Sequence, residues 1–302
     1  MPFLDKLLAG TPTLSFELFP PKNPAGWGTL YGSLGEITKL SPDYISVTYG
    51  AGGSTRTKTV ELVARIQGEL GIESMAHLTC VGHSQAEIRD VLKTLVDSGI
   101  RNVLALRGDP PKGDKLFKPH PDGFAHASDL IKFIRGQFPL QIGCAYYPEK
   151  HMEAGSLESD MAMLKLKQDL GAQFTISQLF FDNEIFYRFR DKAAAMGILI
   201  PLVAGIMPVL DINQLTRFKE LSGCAIPEKL VAKLNQGKPE DAVNRGVEYA
   251  TEQCDDLLKN GIAGIHLYSL NRSHSSARIT ENLRKLGHFP IPASAGAASP
   301  KP

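Results

Sequence analysis

Short apolar runs alternate along the chain with longer stretches in which hydrophobic residues recur at helical spacing. Eight runs have the length and apolar character of strands buried on both faces: 14–19, 44–48, 75–79, 102–106, 141–145, 174–178, 202–206 and 264–267. Between them, 58–70 sets Val60, Val63, Ala64 and Ile66 on one side, and 85–98 does the same with Ile88, Val91, Leu92 and Leu95. Stretches 156–169, 182–196, 211–221 and 242–258 follow the same rule. Ser84, with Glu87 three residues on, forms the signature of a capping box. Ser98-Gly99 and Leu170-Gly171 read as helix ends closed by glycine. This order predicts an α/β fold: a closed (β/α)8 TIM barrel in a single domain over 1–290, with an extra helix near 225–240. An open doubly wound sheet is the competing arrangement. Residues 291–302, small and rich in proline, are expected to form a disordered tail.

Composition agrees with this reading. A barrel takes about 250 residues, and the chain has 302, of which 43% are hydrophobic and 22% charged. Lys+Arg number 33 against 32 Asp+Glu, a balance that argues against non-specific nucleic-acid binding. No segment approaches the ~18 uncharged apolar residues of a membrane span. Asp5 and Lys6 interrupt any signal-peptide core in MPFLDKLLAG. The four cysteines form no CxxC pair, and all but Cys254 have apolar sequence neighbours. Reduced, mostly buried thiols and a cytoplasmic location are the expectation.

In a (β/α)8 barrel the chemistry lies at the C-terminal ends of the strands. The strand ends carry Glu17, Thr48-Tyr49, His77, Arg107-Gly108-Asp109, Tyr147, Gln178, the 205–208 turn, and Tyr268 with Asn271 and Arg272, polar at seven of the eight. Glu17 sits in an apolar strand before two prolines. Poor solvation there would raise its pKa and suit it to donate a proton near neutral pH. The alternative is a structural ion pair with Arg107 or Lys167. Gly108 allows backbone to approach a ligand closely, although the RGD run also suits a plain tight turn. The loop 49–56 leads to a helix with Ser54 or Thr55 as cap, but threonine at 55 breaks the dinucleotide-binding glycine pattern. An ordinary connecting loop is the expected reading of it. The histidines include neither HxH nor HExxH, so His77 and His151 are read as hydrogen-bonding groups and no metal is expected. Asp160, Met163 and Lys167 share one helix face, open to solvent or to a ligand.

Taken together, SFELFPPK, YISVTYGAGG, HLTC, RNVLALRGDPP, AYYPEKH, SQLFFD, GIMPV and LYSLNR resemble the FAD-containing bacterial methylenetetrahydrofolate reductases, in the same order and nearly throughout the chain up to Phe289. The resemblance implies reduction of 5,10-methylenetetrahydrofolate to 5-methyltetrahydrofolate by NADH or NADPH, ping-pong through FAD, in a homo-oligomer. It makes Glu17 the general acid and Asp109 the carboxylate beside the flavin ring. Thr48, Tyr49, His77, Arg107, Gly108, Tyr147, His151, Ala154, Asp160 and Lys167 match FAD-contacting positions. His126 stands where the family has a tyrosine at a flavin contact, next to Ala127. Met163 and Leu166 replace an amide and a basic residue. Gln178, Gln214 and Arg272 match folate contacts, and Phe218 an aromatic that packs against the ligands. No regulation by adenosylmethionine through a C-terminal domain is expected. Two other functions stay open: a metal-dependent barrel lyase or hydrolase using His77, Asp109 and His151, and a folate- or flavin-binding subunit without turnover.

Overall fold

The alternation of side-chain direction along each strand decides how the sheet is used. In Thr-Leu-Ser-Phe-Glu-Leu, for instance, Leu14, Phe16 and Leu18 pack beneath the helices, while Ser15 and Glu17 face the other way. The computed structural model describes residues 1–21, 23–50, 56–110 and 117–291. The elements follow one another as α1 (Phe3–Leu8), β1 (Thr13–Leu18), α2 (Gly26–Lys39), β2 (Tyr44–Val47), α3 (Arg56–Leu70), β3 (Ser74–Thr79) and α4 (Gln85–Asp97). Next come β4 (Asn102–Leu106), α5 (Ala127–Gln137), β5 (Gln141–Tyr146), α6 (Leu157–Asp169), β6 (Phe174–Ser177) and α7 (Asn183–Ala195). The chain then runs through β7 (Leu202–Ile206), α8 (Gln214–Ser222), α9 (Glu228–Leu234), α10 (Ala242–Lys259), β8 (Gly264–Tyr268) and α11 (Ser273–Lys285).

All strand pairs are parallel, and β1 pairs with both β2 and β8, so the sheet closes on itself in sequence order. Closure rules out the open sheet and establishes the (β/α)8 barrel. The extra helix expected near 225–240 is α9, followed by a single 3₁₀ turn at Pro239–Asp241. Helices α1, α2, α5 and α11 fall where no helical stretch was delimited from sequence. The capping box is formed: Ser84 Oγ accepts from Glu87 N (3.2 Å), and Glu87 Oε2 accepts from Ser84 N (2.9 Å). Residues 292–302 of the expected tail, and the Ser54 and Thr55 cap positions, lie outside the described residues. Among the described residues, no helix is long and apolar enough to cross a membrane.

The barrel interior is graded along its axis. At the N-terminal end, α1 lies under the strands and inserts Phe3, Leu4 and Leu7 against Tyr44, Met75, Leu104, Phe174 and Val203. Above this apolar floor the inward residues turn polar: Ser15, Ser46 and His266, then Glu17, His77 and Thr79. Cys254 corrects one expectation: all four thiols are buried, and Cys254 fully so. Polar neighbours in sequence are no guide on a helix, where adjacent residues face different ways. Burial pushes its thiol well above the usual range.

Candidate active site

A cavity of about 370 Å³ opens at the C-terminal ends of the strands. The end of β1 is held on two sides by the turn after β8. Ser269 Oγ donates to the Glu17 carbonyl at 2.6 Å. Asn271 accepts from Phe19 N at 3.0 Å and donates to Phe19 O at 2.7 Å. This turn holds Leu270 and Asn271 in the left-handed region (φ +50° and +56°). The result is a fixed backbone beneath a carboxyl that is 21% exposed to the cavity.

Glu17 forms neither expected ion pair. Arg107 gives both its terminal nitrogens to Glu153 (2.5 and 2.8 Å) and lies over the Phe117 ring. Lys167 donates to the Ala145 carbonyl at 3.0 Å. The physical reason is the closed barrel, which puts β3 and β8 within reach of Glu17. Its Oε2 lies 3.6 Å from His77 Nε2 and 3.9 Å from His266 Nε2.

His77 is buried, and desolvation lowers its pKa from the ordinary 6.5 to about 4, against the smaller pull of Glu17. The ring is therefore neutral in the working range. Among the described residues, its Nε2 and the neighbouring Thr79 Oγ1 have no hydrogen-bond partner, and both residues line the cavity. The sign of the stability effect follows. Between pH 6.5 and about 4 the unfolded chain binds a proton that the folded chain refuses, so stability rises with pH across that window. Acidification from pH 7 to 4 is expected to remove up to about 3 kcal/mol through this group. Urea unfolding over that range, compared with His77→Gln, checks it; an unchanged slope in the variant would count against the assignment.

The cavity brings together residues singled out from sequence: Glu17, Thr48, Tyr49, His77, Arg107, Gly108, Asp109, Tyr147, His151, Gln178 and Tyr268. Tyr147 meets His151 edge-on at 4.7 Å. Burial, with Arg107 nearby, lowers the pKa of His151. Gly108 has φ +85°, and a Cβ there would meet Val81 Cγ1 at 2.7 Å and Thr79 Cβ at 2.9 Å. Other candidates lie outside the lining. Asp160 accepts from His151 N (2.8 Å) and so fixes that loop from α6, and Ala154 N closes it onto the His151 carbonyl. Exposed His126 precedes α5, which begins at Ala127. Gln214 Oε1 accepts from Leu210 N (2.9 Å) and Asp211 N (3.3 Å). Phe218 is only 6% exposed and packs near Phe181. Arg272 is exposed just before α11.

Sequence reasoning missed His266 and Ser177, both lining residues. The signal for His266 was available: in Gly-Ile-His-Leu-Tyr, alternation puts His266 and Tyr268 on one face. Tyr268 donates to the Ser177 carbonyl at 2.6 Å. Among the described residues, no three His, Cys, Asp or Glu side chains converge as a metal site.

Fold and site thus define a (β/α)8 barrel with a carboxyl and two imidazoles converging in the mouth where such barrels carry their chemistry. The chain belongs to the methylenetetrahydrofolate reductase family, whose model matches residues 3–284. It is 35% identical over 277 residues to the 5,10-methylenetetrahydrofolate reductase of Escherichia coli K12, covering 91% of both chains. It is 38% identical over 300 residues to methylenetetrahydrofolate reductase (NADH) 1 of Arabidopsis thaliana, covering 94% of this chain and 51% of that one. The chain spans about half the length of the curated plant relatives it matches. Among solved structures, a Clostridium thermocellum protein described as binding two copies of 5-methyl-5,6,7,8-tetrahydrofolic acid is similar in fold. Its TM-score is 0.64 at 17% identity, covering 93% of this chain and 99% of that one.

Proposed function

We propose that this protein reduces 5,10-methylenetetrahydrofolate to 5-methyltetrahydrofolate, with FAD bound in the cavity, NADH or NADPH as reductant and Glu17 as general acid. The observation that carries this reading is the ionisable Glu17 carboxyl facing the cavity of a chain whose family match runs over residues 3–284.

The residues present fit a flavin. The unpartnered His77 Nε2 and Thr79 Oγ1 are suited to the carbonyl and N–H edge of an isoalloxazine ring. Gly108 keeps the backbone close to that space. Arg107, whose present partner Glu153 is half-exposed, can exchange it for an anionic part of the cofactor. Asp109 stands at the rim, and Asp160 and Lys167 brace the cavity wall from behind. When bound, the flavin supplies hydride transfer from the nicotinamide to the folate carbon.

The chain's own residues do the rest. Glu17 gives its proton to a bridging nitrogen of the folate, which opens the five-membered ring to an iminium carbon, and solvent restores the proton afterwards. Gln178 lines the same cavity and can orient the substrates. Exposed Arg272 suits the carboxylates of a folate tail. Gln214 has its oxygen committed to backbone and offers only its NH₂ group. Phe218 is buried against Phe181 and lies outside the cavity lining.

Purified protein is expected to be yellow, to bleach anaerobically with NAD(P)H and to recover colour with methylenetetrahydrofolate. Since both substrates share one cavity, double-reciprocal plots should be parallel. Gly108→Val forces a β-branched residue into a left-handed position and a crowded space. It is expected to weaken FAD binding at least about tenfold with the barrel's circular dichroism retained. A colourless protein that takes up no FAD, or one whose reduced flavin ignores the folate, would sink the proposal.

A further inference from the structure

Tyr268 reaches sideways across the mouth of the barrel. It ends β8 beside Glu17, with which it pairs in register. Its hydroxyl donates to the Ser177 carbonyl of β6 at 2.6 Å, so the side chain passes over the whole width of β7. Glycine at position 205 of β7 leaves room for the crossing. A Cβ there would run into the Tyr268 hydroxyl, and would lie 2.7 Å from its Cε2 and 2.5 Å from the Ser177 carbonyl oxygen. Gly205 is not among the residues of positive φ, so space and not backbone conformation sets the need for glycine.

The crossing meets the sheet where its own ladder runs out. Register between β6 and β7 runs through Thr175–Leu202 and Ile176–Val203, and stops one residue before Ser177. The hydroxyl of Ser177 accepts from Gly205 N at 2.8 Å, and its buried carbonyl takes the Tyr268 proton. Burial, with Glu17 nearby, raises the ionisation of Tyr268 far above neutrality, so its hydroxyl stays a donor. The next residue is Gln178, a lining residue of the cavity. Its N–H donates to the Tyr146 carbonyl at 2.7 Å, and its Oε1 accepts from Leu179 N at 2.8 Å. A backbone N–H can only donate, so the atom facing Leu179 is the oxygen. The NH₂ group is the end of Gln178 left to serve a ligand.

We propose that Tyr268 is a positioning residue for the folate. By crossing Gly205 to hold the Ser177–Gln178 peptide, it sets Gln178 so that the NH₂ group meets an acceptor of the substrate, a ring nitrogen or a carbonyl. The inference rests on the reading of the cavity as the folate site and of Gln178 as a substrate contact. The peptide is then fixed from both neighbouring sides, by Tyr146 of β5 and by Tyr268 of β8. A phenylalanine at 268 fills the same space but leaves the Ser177 carbonyl to turn away, and a small displacement of a positioning group is enough to lose its contact.

The test is a set of substitutions read by binding. Reduced, FAD-loaded enzyme is titrated anaerobically with 5-methyltetrahydrofolate in a calorimeter. Tyr268→Phe is expected to raise the dissociation constant about fivefold to tenfold, the worth of one hydrogen bond. Gly205→Ala should do the same by displacing the hydroxyl, and the double variant should be no weaker than the weaker single one. In flavin reoxidation by methylenetetrahydrofolate, the half-saturating concentration should rise more than the saturated rate falls. The decisive background is Gln178→Ala, in which Tyr268→Phe should cost less than about twofold, because the group it positions is gone. The same loss in both backgrounds would mean that Tyr268 does not act through Gln178. A lower urea midpoint with unchanged folate affinity would mean a merely structural strut. Either result overturns the inference, and if Gly205→Ala does not fold, Tyr268→Phe and the Gln178→Ala background decide it. Undiminished affinity in Gln178→Ala alone would defeat the reading of Gln178 as a substrate contact, and unmodified enzyme that binds no reduced folate would defeat the proposed function; this inference falls with either.

Discussion

Replacing Glu17 by glutamine is expected to stop folate reduction, slowing flavin reoxidation by methylenetetrahydrofolate about 10²–10⁴-fold, the usual contribution of a general acid. Reduction of the flavin by NAD(P)H should continue, because hydride transfer from a nicotinamide needs no proton from this residue. The substitution isolates the proton well. Glutamine keeps the side chain's size, and the groups that fix this strand end, Ser269 and Asn271, hold backbone atoms of Glu17 and Phe19 that the change does not touch. His77 and His266 bracket the carboxyl at 3.6 and 3.9 Å, so an amide meets the same two rings. Anaerobic stopped-flow at the flavin absorbance separates the two half-reactions. Equal loss in both would mean that Glu17 shapes the cavity instead of donating a proton.

The largest expected effect on stability lies at the opposite end of the barrel. Phe3 is buried in the floor, with ring centroids 4.3 Å from Tyr44 and 5.2 Å from Phe174. Phe3→Ala removes the side chain that closes the apolar layer and leaves a cavity among rigid strands. Such truncations cost about 3–5 kcal/mol, a large share of the 5–15 kcal/mol that holds a typical domain together. Urea unfolding should show a markedly lower midpoint, while kcat at low temperature should change far less, because Phe3 itself does not line the cavity. A loss below about 1 kcal/mol would mean that α1 does not act as a plug.

The two residues also mark what a linear reading can and cannot reach. Glu17 was found from sequence because a lone acid in an apolar strand is anomalous. Its surroundings were not: Arg107 and Lys167 looked like its partners, yet Arg107 is taken by Glu153 and Lys167 by a backbone carbonyl. Phe3 was passed over because six residues of helix at a chain end carry too little periodicity to mark a structural role. Cys254 misled for a related reason, since its charged neighbours lie on a different face of α10.

By itself the sequence determined the eight strands within a residue or two, the helix after the seventh strand, and the polar residues at most strand ends. These are local properties: side-chain alternation, helical period and turn chemistry act over a few residues. Closure of the sheet between β1 and β8 was decided only in three dimensions, and so were the plug beneath it and the convergence of Glu17, His77 and His266. Those depend on barrel register, which sets residues some 60 to 250 positions apart beside one another, at separations over which no local preference acts. Glu17 stood out in the chain as a carboxyl within an apolar strand, but the imidazoles beside it came from the closing of the sheet.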